Sequence, residues 1–169
     1  QALRSNQTVV PQRLNAALGP MMSTFWDELA EQYKELIAPI GQSLAGLEQH
    51  ARNEALKRLL GHAASAMPRD NPTALSWFIS SLNRTPHKWF VAQVMSLVSP
   101  VPSSMIEPLL VAALMEPNPS ANRLFIEPCV RSLGRLEVGS RVTTLAERSG
   151  VAENDGVRKV MYWVNRRGA

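Results

Sequence analysis

The chain has 169 residues, of which 45% are hydrophobic and 19% are charged. This composition is that of a soluble globular protein, and the length fits one domain with a sizeable core. The single cysteine excludes an internal disulfide framework, and no apolar run approaches the roughly 18 residues that a membrane span requires.

The formal net charge of +4 is unevenly distributed along the sequence. Residues 1–119 carry nine Lys/Arg and nine Asp/Glu, whereas residues 120–169 carry nine against five, so the whole excess (9 − 5 = +4) lies in the second range. Such asymmetry is typical either of a protein that binds an anionic partner or of a solvated face near one end of a fold. The candidate anion-binding residues are Arg131, Arg135, Arg158, Lys159, Arg166 and Arg167.

The first 20 residues show no sustained apolar period and contain Pro11, Gly19 and Pro20. Residues 1–20 therefore predict an extended arm with room for one helical turn. The chain begins at Gln1 rather than at Met, so we expect that preceding residues have been removed.

A single α-helical domain is predicted over residues 21–169, and it opens with a long amphipathic stripe. The apolar residues recur at three- and four-residue steps, which places them on one face of a helix. They are Trp26, Leu29, Tyr33, Leu36, Ile40, Leu44 and Leu47. Because the stripe continues in phase past Pro39, the pattern favours a long kinked helix over a helix that stops there. A further helix over about 51–66 completes an N-terminal region of residues 21–67.

Capping residues followed by proline occur three times in the middle of the chain, at Asn71-Pro72, Thr85-Pro86 and Asn118-Pro119. An Asn or Thr side chain accepts hydrogen bonds from the first free N–H groups of a helix, and proline suits the next position. Gly134 is expected to terminate a helix in a left-handed conformation. The predicted short helices span residues 72–83, 86–98, 103–115, 120–134, 138–148 and 153–167. Since no alternating β pattern of useful length occurs, the chain is predicted to be all-α.

A weak internal repeat has a period of about 31 residues. Under this shift, Leu75, Phe78 and Ile79 align with Ile106, Leu109 and Leu110. Antiparallel helix pairs at such a period are typical of stacked hairpins, in which each pair buries its apolar face against the next.

Two stretches resemble HEAT-type helical repeats. Residues 130–136 (VRSLGRL) are similar to the end of the first helix of such a repeat, and residues 155–160 (DGVRKV) are similar to the start of one. Pro128 is placed like the bend common in that family. The resemblance covers residues 70–169 and implies a short right-handed superhelix of antiparallel hairpins with a concave binding face. Residues 1–65 do not conform, and an irregular helical bundle is the alternative architecture.

No residue pattern indicates catalysis, a metal or a cofactor. The three histidines form no pair at helical ligand spacing, and HExxH, CxxC and GxSxG motifs are absent from the sequence. Cys129 lies in the apolar stripe of its helix and is expected to be a core residue. Glu107 and Glu127 are expected to be surface residues rather than an acid/base pair. We therefore expect a protein that is not an enzyme and has no cofactor.

Adjacent aromatic residues are the strongest indication of a binding surface. Trp77 and Trp89 each precede a phenylalanine, and Tyr162 precedes Trp163. Because neighbours on a helix point about 100° apart, both members of a pair cannot share one narrow core stripe. One member is expected to line a seam between hairpins or to be partly exposed. The predicted partner-binding residues are Trp77, Lys88, Trp89, Tyr162 and Trp163.

Two hypotheses of function follow. The first is a non-catalytic scaffold, or a subunit of a larger complex, that binds a protein partner on a helical-repeat surface. The alternative is a nucleic-acid-binding array that uses the basic C-terminal part. The first is favoured because acids are interspersed among the arginines and no basic run is longer than Arg166-Arg167. A cytoplasmic or nuclear location is expected, since a single cysteine suits a reducing compartment.

Overall fold

The computed structural model describes residues 12–39, 46–68, 71, 73–149 and 155–166. Within these ranges the chain is all-α, as predicted, and contains no β-strand. The helices are α1 (Gln12–Ile37), α2 (Gly46–Ala66), α3 (Ser76–Ser81), α4 (His87–Leu97), α5 (Ser103–Met115), α6 (Pro119–Leu133), α7 (Arg135–Ser149) and α8 (Gly156–Asn165).

The first helix starts earlier than the sequence predicted. α1 begins at Gln12, so residues 12–20 are helical and the predicted extended arm is wrong for that stretch. The good helix formers of this segment, alanine and leucine, outweigh the helix-breaking Pro20. The rest of the predicted arm, residues 1–11, lies outside the described residues.

The first helix ends at Ile37, two residues before Pro39, so the predicted long kinked helix is wrong. The residue before a proline avoids the helical conformation, and Pro39 has no N–H to donate to the carbonyl of Glu35. That carbonyl instead accepts hydrogen bonds from the backbone N–H of Ala38 and from the guanidinium of Arg52 on α2. The chain therefore forms two separate helices on either side of residues 40–45, which lie outside the described part.

The apolar stripe of α1 is a core face wherever its side chains are described. Trp26, Leu29 and Tyr33 are buried, as their spacing predicted. Ile40 and Leu44 of the same predicted stripe lie outside the described residues.

One of the three predicted proline-linked caps, Asn118, caps its helix as expected. The Asn118 side chain accepts from the N–H of Ser120 at 3.0 Å at the start of α6. The Asn71 side chain accepts from the N–H groups of Thr73 and Ala74 at 3.0 and 3.2 Å, but it closes the turn before α3 and is not the N-cap of that helix, which is Leu75. Both asparagines therefore satisfy N–H groups that the following chain leaves free.

Thr85 is not a cap, contrary to the sequence prediction. Pro86 is the N-cap residue of α4, and no side chain caps this helix. The first N–H groups bind backbone carbonyls instead: Lys88 donates to Arg84 at 2.8 Å and Trp89 donates to Pro86 at 3.0 Å. The turn before α4 thus supplies the acceptors that a side-chain cap would otherwise provide.

The boundaries of the later helices lie close to their predictions, with α3 as the exception. α5 has the predicted bounds, and α6 ends at Leu133, just before Gly134. Gly134 has a positive φ of 82°, but its ψ of 162° is not that of the left-handed helical conformation, so the predicted left-handed terminator is wrong. In contrast, the predicted helix 72–83 is α-helical only over Ser76–Ser81. The chain at residues 73–75 forms turns before α3 begins.

Consecutive helices pack as pairs, and each even-numbered helix also packs on the next even-numbered helix. The pairs are α1 with α2, α3 with α4, α5 with α6 and α7 with α8. α2 also packs on α4, α4 on α6, and α6 on α8, which makes one row of even-numbered helices. We call the exposed residues of α2, α4, α6 and α8 the even-helix face. Among the helices described, none combines the length and the apolar character needed to cross a bilayer.

A close contact between backbones fixes α8 against α5. Gly156 is buried at the start of α8, and a Cβ atom added there would collide with the carbonyl oxygen of Leu114. A side chain at this position would therefore force the two helices apart.

We expect Gly156→Ala to lower the free energy of unfolding by about 2 kcal/mol, because the added methyl group overpacks the contact between α5 and α8. Gly61→Ala is the matched control, since Gly61 lies within α2 and an added Cβ meets nothing within 4 Å. The control should raise the free energy of unfolding by about 0.5 kcal/mol through helix propensity. Chemical denaturation measures both, and equal effects of the two substitutions would contradict the packing argument.

Candidate functional site

A basic groove lies where α6, α8 and the start of α7 meet. Its volume is about 360 Å³. The groove is lined by Glu127, Val130, Trp163 and the four arginines Arg123, Arg131, Arg135 and Arg166. Arg123, Glu127 and Arg131 share one face of α6 because they are spaced four residues apart. We keep the name basic groove for this set of residues.

Trp163 forms a fixed wall of the basic groove. Its indole N–H donates a hydrogen bond to the carbonyl of Pro119 at 2.6 Å, which ties α8 to the start of α6. The guanidinium carbons of Arg123 and Arg166 lie 5.7 and 5.1 Å from the centre of the indole ring. Both distances are within the range of cation–π attraction. The aromatic ring therefore attracts two of the four arginines to the groove.

The other two arginines of the groove bind the ends of neighbouring helices. Arg131 donates to the carbonyl of Ser96 at 2.7 Å, at the C-terminal end of α4. Arg135 donates to the carbonyl of Arg166 at 3.0 Å, just after α8. Cations are favoured at helix C-termini, where carbonyl groups lack partners within the helix. These contacts place the two guanidiniums at the groove.

Carboxylates neutralise little of this positive charge. Arg123 Nε lies 3.7 Å from Glu127 Oε1, a loose contact on the exposed surface. Among the described residues, no carboxylate oxygen lies within 4.0 Å of the side-chain nitrogens of Arg131, Arg135 or Arg166. Four cations and one anion leave the groove with a formal charge of 4 − 1 = +3.

A second cavity of about 420 Å³ lies on the other side of Trp163. It includes Arg158, Lys159 and Tyr162. Arg158 is already paired with Asp155 through contacts of 2.8 and 2.7 Å, whereas the Tyr162 side chain is 61% exposed. The second cavity therefore offers an accessible aromatic ring and one cation, Lys159, whose contact among the described residues is with the carbonyl of Pro117 at 3.3 Å.

The predicted site residues in the C-terminal part come together, and one of them cannot be placed. Arg131, Arg135, Arg166 and Trp163 line the basic groove, and Tyr162 lies in the second cavity beside it. Arg158 and Lys159 also lie in the second cavity. Arg167 lies outside the described residues.

Trp77 is a core residue and offers no surface to a partner. It is 8% exposed, and its indole N–H donates to Asp27 Oδ1 at 2.9 Å. Its ring lies 5.2 Å from that of Phe78 and 6.2 Å from that of Trp26. The expectation that Trp77 binds a partner is therefore wrong, because α1 covers this side of α3.

Lys88 and Trp89 are likewise occupied by contacts within the domain. Lys88 Nζ lies 2.6 Å from Glu116 Oε2, in an ion pair whose glutamate side chain is 4% exposed. The same Nζ lies 4.5 Å from the centre of the Trp89 ring, and Trp89 packs 5.6 Å from Phe125. These residues join α4 to the turn between α5 and α6 and to α6 itself, so neither is a free surface group.

The sequence prediction missed Arg123 as a member of the site. The signal was present, since Arg123, Glu127 and Arg131 recur every four residues on the predicted helix 120–134. Cys129, in contrast, is fully buried as predicted, and burial raises the pKa of its thiol to about 12.

Comparisons with models of protein families, with curated proteins and with solved structures find no match to this chain. In the part of the chain that the structure describes, His, Cys, Asp and Glu side chains form no group of three or more that could hold a metal ion.

We expect Glu116→Ala to lower the free energy of unfolding by about 3 kcal/mol, because it leaves the half-buried Lys88 without its partner. The double variant Lys88→Met/Glu116→Gln should recover most of this loss, since no unpaired charge remains. Glu54→Ala is the control: its exposed pair with Lys57 is worth less than about 1 kcal/mol. Urea titration measures all three. A double variant as unstable as the single one would contradict a structural role for the ion pair.

His87 lies half-buried at the junction of α1, α3 and α4. Its Nδ1 atom is buried without a hydrogen-bond partner in the described structure, and its ring centre lies 6.1 Å from that of Trp77. Burial, and then the Arg84 cation, lower the pKa of His87 below its ordinary value, opposed by Glu31 and Asp27.

The unfolded chain therefore binds a proton at His87 more readily than the folded chain does. We expect the free energy of unfolding to fall as the pH is lowered from about 7 to about 5, through the ordinary histidine pKa. His87→Gln should flatten this part of the pH profile, whereas the exposed His50→Asn should leave it unchanged. Denaturation at a series of pH values measures the slope, and an unchanged slope in His87→Gln would contradict the assignment.

Proposed function

We propose that this protein is a non-catalytic interaction scaffold, or a subunit of a larger complex, and that it binds a protein partner on the even-helix face around α6 and α8. The proposal includes a short HEAT-like array of stacked hairpins as the scaffold, and a cytoplasmic or nuclear location. The observation that carries it is the basic groove with the exposed Tyr162 beside it.

The packing order of the helices supports a repeat-like scaffold. In stacked-hairpin arrays, each helix contacts its hairpin partner and the equivalent helix of the next hairpin. Here the even-numbered helices pack in one row, and α5 and α6 form one pair while α7 and α8 form the next. Within the described structure, Leu97 is the one exposed residue of α4, so the partner surface proposed on this row lies mainly on α6 and α8.

The side chains near α8 support a protein partner. Tyrosine, tryptophan and arginine are the residues enriched at the energetic centres of protein interfaces. All three types occur here, in Tyr162, Trp163 and the arginines of the basic groove. On α4 of the same face, Leu97 is 54% exposed and adds apolar surface.

Binding of a nucleic acid is the second candidate function. The observation that favours it is the exposed Tyr162 ring next to Arg158 and Lys159, since single-stranded nucleic acids bind to aromatic platforms in positive grooves. The contact of Arg158 with Asp155 counts against it, because this cation already has a counter-charge. Protein binding therefore remains the first proposal.

We expect Leu97→Ser/Tyr162→Ser to reduce capture of the protein partner about tenfold, because both exposed apolar side chains lie on the even-helix face. The matched control is Ile37→Ser/Met115→Ser, which removes exposed apolar side chains from α1 and α5. Affinity capture from an extract of the source organism, quantified by mass spectrometry, compares both variants with the wild type. Proteins captured equally by the two variants would contradict the proposed face.

A nucleic-acid function would give a different pattern in the same experiment. Capture would then be lost on nuclease treatment, and the purified protein would bind single-stranded oligonucleotides at about 50 mM salt with an affinity that falls steeply as salt is raised. Such a result would establish the second candidate in place of the first.

A further inference from the structure

We infer that the basic groove binds an acidic, extended segment of a protein partner, with carboxylates against its arginines and apolar side chains against the corner between α6 and α7. This inference rests on the proposed function and names the chemistry of the segment. It starts from an imbalance of charge: the groove carries four guanidiniums and one carboxylate, and Glu127 is 3.7 Å from the nearest of them.

The arginines are held in position before any ligand arrives. Arg131 and Arg135 donate hydrogen bonds to backbone carbonyls, and Arg123 and Arg166 lie over the ring of Trp163, whose cation–π attraction favours these positions. A guanidinium has five N–H donors in a planar fork, so a contact with one or two acceptors leaves donors free. Preorganised forks of this kind match the two oxygens of a carboxylate, which pairs with arginine in a bidentate manner.

Two of the four arginines, Arg123 and Arg166, do not join helix ends through backbone carbonyls in the part of the chain that the structure describes. The contacts of Arg131 and Arg135 join neighbouring helices. Arg123 and Arg166 bind no backbone carbonyl through their side chains in the described structure, and they lie on the two sides of a groove of like charge. Like charges brought together repel each other, and an anion in the groove relieves that repulsion.

The groove fits a polypeptide better than a nucleic acid. The groove is short, with a volume of about 360 Å³. In the second cavity beyond Trp163, Arg158 is already paired with Asp155, which leaves Lys159 as the cation of that cavity without a carboxylate partner among the described residues. A nucleic-acid backbone presents phosphates at regular spacing and requires a longer track of cations. The guanidiniums of Arg123 and Arg166 also lie over the Trp163 ring, which restricts base stacking on it.

Apolar residues near Arg135 indicate that the ligand also carries apolar side chains. Leu133 and Leu136 lie two residues before and one residue after Arg135 in the chain, at the corner between α6 and α7, and they are 36% and 92% exposed. Val130 contributes an apolar side chain to the groove itself. A segment in which aspartate or glutamate alternates with leucine or phenylalanine meets both kinds of surface at once, as the alternating side chains of an extended chain permit.

The test measures binding of a fluorescent peptide of about a dozen residues, with glutamate alternating with leucine, by anisotropy at about 0.1 M salt. A matched peptide replaces each glutamate by glutamine, and an oligouridine of equal length is the nucleic-acid probe. The acidic peptide should bind at least about tenfold more tightly than the glutamine peptide, since only carboxylates form charged pairs with the guanidiniums.

The groove variant is Arg123→Gln/Arg166→Gln, which spares the two arginines that join helices. It should weaken the acidic peptide about tenfold. The control Arg58→Gln/Arg148→Gln removes the same charge from exposed positions outside the groove and should change affinity less than about twofold. Arg123→Glu/Arg166→Glu should abolish binding of the acidic peptide and create binding of a lysine–leucine peptide. Thermal melting verifies that each variant is folded.

Equal losses in the groove and control variants would overturn the inference, because they indicate non-specific attraction to a cationic protein. Groove-dependent binding of oligouridine in preference to the acidic peptide would also overturn it. If the partner that the even-helix face captures remains bound to Arg123→Gln/Arg166→Gln, the inference fails and the proposed function stands. If capture depends on no residue of that face, the proposed function itself fails.

Discussion

The burial of α4 is the constraint on which the rest of the domain depends. Five residues of this helix, Phe90, Val91, Ala92, Val94 and Met95, have no exposed surface. A helix that is apolar on most of its circumference is stable only when other elements surround it. α1, α2, α3 and α6 all pack on α4, so four separate parts of the chain meet there. The positions of the neighbouring helices, including α6 with its basic groove, follow from this arrangement.

Polar contacts then fix the angles between helices that apolar burial leaves open. The Gln93 amide donates to the Tyr33 hydroxyl at 2.8 Å, and the Trp77 indole donates to Asp27 at 2.9 Å, which hold α4 and α3 to α1. The pKa of Tyr33 rises to about 12, chiefly because its phenol is buried, although the hydrogen bond from Gln93 acts in the opposite direction. These long-range hydrogen bonds favour one arrangement of the helices over others, since buried polar groups are costly without their partners.

Local signals in the sequence account for the all-α class and for most of the later helix boundaries, because Asn118 and Gly134 act within a few residues of their own positions. The predicted kinked helix through Pro39 was wrong partly because the end of α1 depends on a distant residue. Arg52 on α2 donates a hydrogen bond to the carbonyl of Ala38 at 3.1 Å. The burial of Trp77 was equally inaccessible to sequence reasoning, because it depends on α1. The four-residue spacing on α6 could have indicated half of the basic groove. Its other half, from α7 and α8, required the packing of α8 on α6.

Arginine recurs in this fold in two structural situations, and the difference between them bears on function. Arg52 binds carbonyls near the end of α1, and Arg131 binds those near the end of α4; both follow the preference of cations for helix C-termini. Arg123 and Arg166 bind no such carbonyl, and both lie against the ring of Trp163 within a groove that already holds two cations. Stability alone would favour spreading these charges over the surface, since exposed pairs contribute little and like charges repel. Their placement together is therefore better explained by a ligand that carries the opposite charge than by the requirements of the helical core.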